Sequence, residues 1–106
     1  MQSKVVDALT QRLQGYGHEW VNVHAMDDDA LVKRIRDDRV HILVDCMGHT
    51  LGTRLSALAR KPAPVQMSYL GYLGSTGLPA MDYRLTDAWM DPVGLTERQH
   101  TEQLLR

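Results

Sequence analysis

Apolar positions recur along this chain at two periods, and the switches between them outline its elements. From Lys4 to Gln14, Val5, Leu9 and Leu13 fall at helical spacing with Val6 beside them. Asp7, Gln11, Arg12 and Gln14 fill the other face, so the segment predicts an amphipathic helix. Gly15-Tyr16-Gly17 is its stop signal. Trp20 to His24 alternates apolar and polar residues, which fits a short strand or an extended connector. Asp27-Asp28-Asp29 then marks a helix start, because carboxylates there cap free amides and face the positive end of the helix dipole. A metal-binding reading of the three aspartates is disfavoured, since the spaced oxygen ligands and closing Glu of a calcium loop are missing. The helix over Ala30 to Asp37 or Asp38 is predicted to bury Leu31 and Ile35, with Ala30 and Val32 flanking.

Val40 to Asp45 is short, apolar and β-branched, the pattern of a buried parallel strand. Gly48 and Gly52 open the turn after it. Thr53 to Arg60 carries Leu55, Leu58 and Ala59 at helical spacing, and Pro62 and Pro64 end that helix. Arg60-Lys61 reads as a basic pair complementing its C-terminal dipole. Val65 to Leu70 predicts the next strand, Gly71 to Gly77 a glycine loop, and Tyr83 to Thr86 a last strand. Asp91-Pro92-Val93-Gly94 is turn material, and Thr96 fits the N-cap of a final helix through Leu105. Strands alternating with helices predict an α/β fold with a parallel sheet, flanking helices and right-handed crossovers. The chain stops at Leu104-Leu105-Arg106 inside an apolar-looking helix, which reads as a truncated domain.

Composition narrows the options. A chain of 106 residues makes one small domain, burying roughly two-thirds of its unfolded surface. A formal net charge of -1 gives no electrostatic case for nucleic acid or an anionic membrane. There is no long apolar run, the stretch Met-Gln-Ser-Lys-Val-Val-Asp lacks the apolar core expected of a secretory signal, and the single Cys46 cannot build a disulfide framework. A cytoplasmic protein is the expectation. Phe is absent, so Leu, Val and Met supply the core, with four Tyr and two Trp whose polar tips need partners. That composition suits a domain packed against something else.

Candidate chemistry gathers where the two central strands open into loops, the place where open α/β sheets bind ligands. The first loop carries Asp45 and His49. Asp45 is placed to orient a ligand hydroxyl, act as a base or cap the next turn. His49 is placed to contact phosphate or move a proton. The plainer reading has both satisfying loop amides and carbonyls. The second loop, Gly71-Tyr72-Leu73-Gly74-Ser75-Thr76-Gly77, offers backbone amides and the hydroxyls of Tyr72, Ser75 and Thr76. That combination suits a sugar or sugar phosphate. Its glycines match neither G-x-G-x-x-G nor a P-loop. Cys46, on an apolar strand end with no base beside it, reads as buried filler. His18, His24, His41 and His100 are dispersed without metal-ligand spacing.

Four ordered strings carry a resemblance: I-L-V-D-x-x-G-H-T-x-G-x-R, A-R-K-P-A-P-V-Q, L-G-Y-x-G-S-T-G-L and A-M-D-Y-R-L-T-D. The likeness extends upstream through Ile35-Arg36-Asp37-Asp38 and downstream through Asp91-Pro92 and His100-Thr101-Glu102. Together they resemble the catalytic region of the O-linked N-acetylglucosamine transferases, more narrowly the bacterial SPINDLY-like members. The resemblance implies a Rossmann-like lobe of a glycosyltransferase B fold. It also implies metal-independent, inverting transfer of N-acetylglucosamine from UDP-GlcNAc to protein Ser or Thr hydroxyls, with the sugar nucleotide as substrate and no cofactor. On that resemblance the chain is the latter part of the N-terminal lobe. The motif histidine near the lobe's start would then precede Met1, and the second lobe with its diphosphate-binding Lys and His would follow Arg106. No tetratricopeptide pattern is present. Thr50 and the backbone of Leu70, Gly71 and Tyr72 would line the sugar side of the donor pocket, with Gly74, Ser75 and Thr76 in the same loop and Asp45 and His49 at its floor. Relatives usually carry Pro where this chain has Leu73. Its loss frees φ and adds an amide donor, which predicts a less preorganised loop.

Two further readings stay open. One is a non-catalytic α/β binding module, or a half-site that pairs with a separate lobe. The other is GDP-fucose as donor, used by SPINDLY-like relatives; no residue here reads the base.

Overall fold

The computed structural model describes residues 5–106. Helix α1 spans Ala8–Gln14; Asp7 caps it by accepting the Thr10 amide at 2.8 Å, and Gly15 closes it. Its expected start at Lys4 lies outside the described residues. The apolar positions of α1 stay exposed, with Leu9 at 62% and none of the helix buried. Trp20 to His24 forms no strand and runs as a connector, with Val23 packed on the core.

Helix α2, Asp28–Asp37, starts where the aspartates predict. Asp27 accepts the Ala30 amide at 2.8 Å, and Asp28 and Asp29 fill the first turn. Both also reach α3, which is shorter than expected at Leu55–Leu58. Asp28 pairs with Arg54 at 3.3 Å and Asp29 with Arg60, while Lys61 pairs with Asp82. Arg60 and Lys61 are therefore engaged by carboxylates of other elements, rather than standing as a dipole-complementing pair.

Four parallel strands follow in the order β1-β2-β3-β4: Ile42–Asp45, Val65–Tyr69, Tyr83–Leu85 and Gln103–Leu105. The register sets Asp45 beside Ser68, Ser68 beside Arg84, and Arg84 beside Leu104. Strand alternation sends these side chains and Leu43 and Gln66 to one face. On the core side lie Leu31, Val32, Ile35, Leu55, Ala57, Leu58, Ala63 and Met81, with Leu43 packed against them. Gln66, fully buried, is polar in this core; its Nε2 donates to the carbonyls of Leu58 at 2.9 Å and Ala80 at 3.0 Å. The opposite sheet face is open, exposing Ile42 (58%), Val44 (43%) and Tyr69 (44%). Here β1 departs from expectation: it is an edge strand covered on one side, not a strand buried on both.

The largest departure lies at the C-terminal end. Thr96 makes no side-chain cap, only a 3₁₀ turn forms at Glu97–Gln99, and Gln103–Leu105 is a strand instead of a helix end. Pairing decides it, because Gln103, Leu104 and Leu105 complete the ladder along Tyr83, Arg84 and Leu85. Tyr83–Leu85 is thus an inner strand and not the last one. No helix among the described residues is long and apolar enough to cross a membrane.

Candidate active-site crevice

The two glycine loops leave the carboxyl ends of β1 and β2 side by side and pack on one another. A Cβ on Gly71 would stand 1.6 Å from the Cys46 carbonyl oxygen, and one on Gly48 would stand 2.3 Å from Tyr72 Cβ. Gly48 also has φ +52, in the left-handed region that glycine enters without penalty. These two glycines serve loop-on-loop contact. Leu70 precedes the junction at φ 57, a left-handed conformation uncommon for Leu, and the Gly71 amide turns back to the Tyr69 carbonyl at 2.7 Å. The chain therefore reverses sharply at the end of β2, leaving Leu70 67% exposed.

In the first loop Asp45 accepts the amides of Met47 (3.2 Å) and Gly48 (2.8 Å), the turn-capping role among those open to it. Thr50 Oγ1 donates to the Met47 carbonyl at 2.8 Å and remains exposed. His49 reaches across to the second loop, its Nε2 lying 2.7 Å from the Thr76 carbonyl oxygen. A carbonyl only accepts, so Nε2 carries the proton. The Tyr72 ring meets the His49 ring edge-on, centroids 5.4 Å apart and planes at 74°. Cys46 is exposed, against the expectation of a buried filler. Partial burial of its thiol, then the charge of Asp45, push its pKa up, so it is not an activated thiolate.

The second loop is held from behind by two groups that sequence reasoning does not single out as site residues. Arg84, 2% exposed, donates from Nη1 to the Tyr72 carbonyl at 2.8 Å and faces Asp91 at 3.4 Å. Glu102, 4% exposed, accepts the Thr76 amide and Ser75 Oγ, each at 2.7 Å, and also Thr76 Oγ1. Burial pushes the Glu102 carboxyl up, but hydrogen bonds from Thr76 and Ser75 outweigh it, and its pKa falls below the usual value. The hydroxyls of Ser75 and Thr76 thus point into this cluster, while Gly74 packs against the Tyr72 ring. The signal for Arg84 is a charge at an alternating position between Tyr83 and Leu85, and for Glu102 it is the His100-Thr101-Glu102 triplet.

Two open spaces adjoin the loops. A groove of about 520 Å³ between the 19–23 connector, α2 and β1 reaches the site only at Asp45, Cys46 and Met47. A smaller one of about 170 Å³ lies beside Leu70, Leu73, Arg84 and Thr86 at the ends of β2 and β3. The smaller space lies where parallel sheets place ligands; the larger one is mostly a gap along the uncovered β1 edge. Among the described residues no cluster of three His, Cys, Asp or Glu side chains is arranged to hold a metal.

Comparisons with known proteins agree with this fold. The chain is similar to a probable UDP-N-acetylglucosamine--peptide N-acetylglucosaminyltransferase SPINDLY of Arabidopsis thaliana, 39% identical over 104 residues. It is likewise similar to the protein of that name from Eustoma exaltatum subsp. russellianum, 38% identical over 96 residues. These alignments cover 94% and 91% of this chain but only 11% and 10% of those proteins. Among solved structures, a mutant of the Thermobaculum terrenum O-GlcNAc transferase superposes with a TM-score of 0.89 at 41% identity. That superposition covers 94% of this chain and 19% of the other. The parallel sheet is accordingly the Rossmann-like architecture of that transferase's fold. The family model for glycosyl transferase family 41 matches residues 9–105, nearly the whole chain, and the protein belongs to that family.

Proposed function

We propose that this chain forms the sugar-side wall of the donor site in a protein O-GlcNAc transferase, as the latter part of its N-terminal catalytic lobe. The observation that carries the reading is the interlock of the two loops, Gly71 against Cys46 and His49 against Thr76, at the carboxyl ends of β1 and β2. On this reading His49, Thr50 and the Leu70-Gly71-Tyr72 backbone form one rim, where UDP-GlcNAc is the proposed substrate and Gly74, Ser75 and Thr76 shape the loop behind. Transfer requires a bond from an acceptor Ser or Thr oxygen to the anomeric carbon and cleavage of the bond from that carbon to the diphosphate. The acceptor proton must go to a base, and the diphosphate departs with the electron pair. His49 is the candidate base, since a neutral ring protonated on Nε2 keeps its lone pair on Nδ1. Asp45, spent on two loop amides, supports the loop.

The clamp for the leaving diphosphate belongs to a second lobe on this reading, so the 106-residue chain alone is expected to turn over nothing. The open sheet face at Ile42, Val44 and Tyr69 favours a half-site that pairs with other protein. Grafting residues 9–105 in place of the matching stretch of the Thermobaculum terrenum enzyme tests the proposal. Peptide glycosylation by the graft with UDP-GlcNAc is the expected result. A folded graft that binds donor but transfers no sugar, or that uses GDP-fucose instead, would count against it.

A further inference from the structure

The Glu102 carboxylate lies just before β4, behind the second glycine loop, and three donors converge on it: the Thr76 amide, Thr76 Oγ1 and Ser75 Oγ. Ser75 Oγ is held further by Thr101, whose amide donates to it at 3.1 Å, and itself receives the Gly77 amide at 3.0 Å. Thr76 Oγ1 receives the Leu78 amide at 3.2 Å. Thr76 is therefore fixed on its amide and hydroxyl sides by one buried acid. Its remaining backbone group, the carbonyl, is the one His49 meets at 2.7 Å.

We propose that Glu102 is a positioning residue for His49, acting through Thr76 to decide which imidazole nitrogen carries the proton. With the Thr76 carbonyl fixed in direction, Nε2 must donate to it, and the neutral ring presents Nδ1 as its only acceptor. The edge-on Tyr72 ring, packed over Gly48, restrains the ring plane from the other side. Glu102 needs to be a carboxylate for this: it meets only donors, so an amide of the same shape sets an N–H against one of them. The assignment of Nδ1 as a base rests on the function proposed above, whereas the coupling of Glu102 to His49 does not.

Long-range ¹H–¹⁵N correlation spectra of the full chain at neutral pH, without sugar nucleotide, read the His49 tautomer directly. Wild type is expected to show Nδ1 as the bare nitrogen and Nε2 as the protonated one. In Glu102→Gln the two nitrogen resonances are expected to approach each other as the ring exchanges tautomers, while amide dispersion elsewhere persists. Should Glu102→Gln fail to fold, Ser75→Ala, which removes one donor from the same carboxylate, is expected to shift them in the same direction. Unchanged His49 nitrogens in a variant whose Thr76 amide resonance has moved would overturn the coupling, as would a wild-type ring protonated on Nδ1. Because no donor is present, failure to bind UDP-GlcNAc would bear on the proposed function and leave this result intact.

Discussion

Gly71 lies directly under the carbonyl of Cys46, so close that a Cβ would stand 1.6 Å from its oxygen. The obstacle is backbone on backbone, with no flexible side chain to give way. Gly71→Ala is therefore expected to push the loops apart and to cost ~3 kcal/mol, at the upper end for overpacking. Gly77, at φ +72 with open space where a methyl would stand, is the control: Gly77→Ala meets only left-handed strain, ~1 kcal/mol. Urea unfolding of the two variants measures the difference.

The buried Arg84 is the second support of the loop, with side-chain exposures of 2% for it and 5% for Asp91. Removing Asp91 leaves a guanidinium uncompensated where water does not reach. Asp91→Ala is expected to cost ~3 kcal/mol or more, a large share of a small domain's stability. It should also disturb the Tyr72 carbonyl that Arg84 holds, read as shifts at the Tyr72 and Leu73 amides.

Glu102 predicts an acid-sensitive fold. Its carboxyl titrates below the ordinary 4.5 when folded, so the folded state binds fewer protons there than the unfolded chain. The stabilisation is present in full above pH ~4.5 and is lost as the pH falls through the lower folded value. Glu102→Gln is expected to lose ~1–3 kcal/mol at neutral pH, from donors left without a full acceptor, and to show a flatter acid limb. Thermal melts of both proteins across that range give the comparison. An equal acid slope would contradict it.

The open sheet face predicts association. Ile42 and Val44 are exposed on the β1 edge of the sheet, a surface that templates contact with other chains. The chain alone is expected to sediment as a concentration-dependent mixture, and Val44→Lys to shift it toward monomer with little change in stability. A sharp-melting monomer at all concentrations would argue against this.

Much of the architecture is legible in the sequence because its signals are local. The aspartate cap of α2, the β-branched run of β1 and the glycines after β1 and β2 all act within a few residues. The last element is not. Gln103–Leu105 takes its strand identity from pairing with Tyr83–Leu85, and nothing in three residues announces a partner so distant in sequence. The site divides the same way. His49 and the loop hydroxyls stand out by residue type, but the acid that organises Ser75 and Thr76 arrives 26 residues after Thr76. Glycines after a strand suggest room for a ligand; Gly48 and Gly71 provide room for the neighbouring loop. The expected looseness at Leu73 has a counterweight in Arg84 and Glu102, which tether the loop on either side of it.

Whether the interlocked loops act as a sugar-side half-site can be read by titrating the chain with UDP-N-acetylglucosamine and following its amide NMR spectrum. Saturable shifts are expected at Thr50 and from Leu70 to Thr76, weakened by Gly71→Ala. A folded chain whose loop resonances stay still at millimolar donor would contradict it.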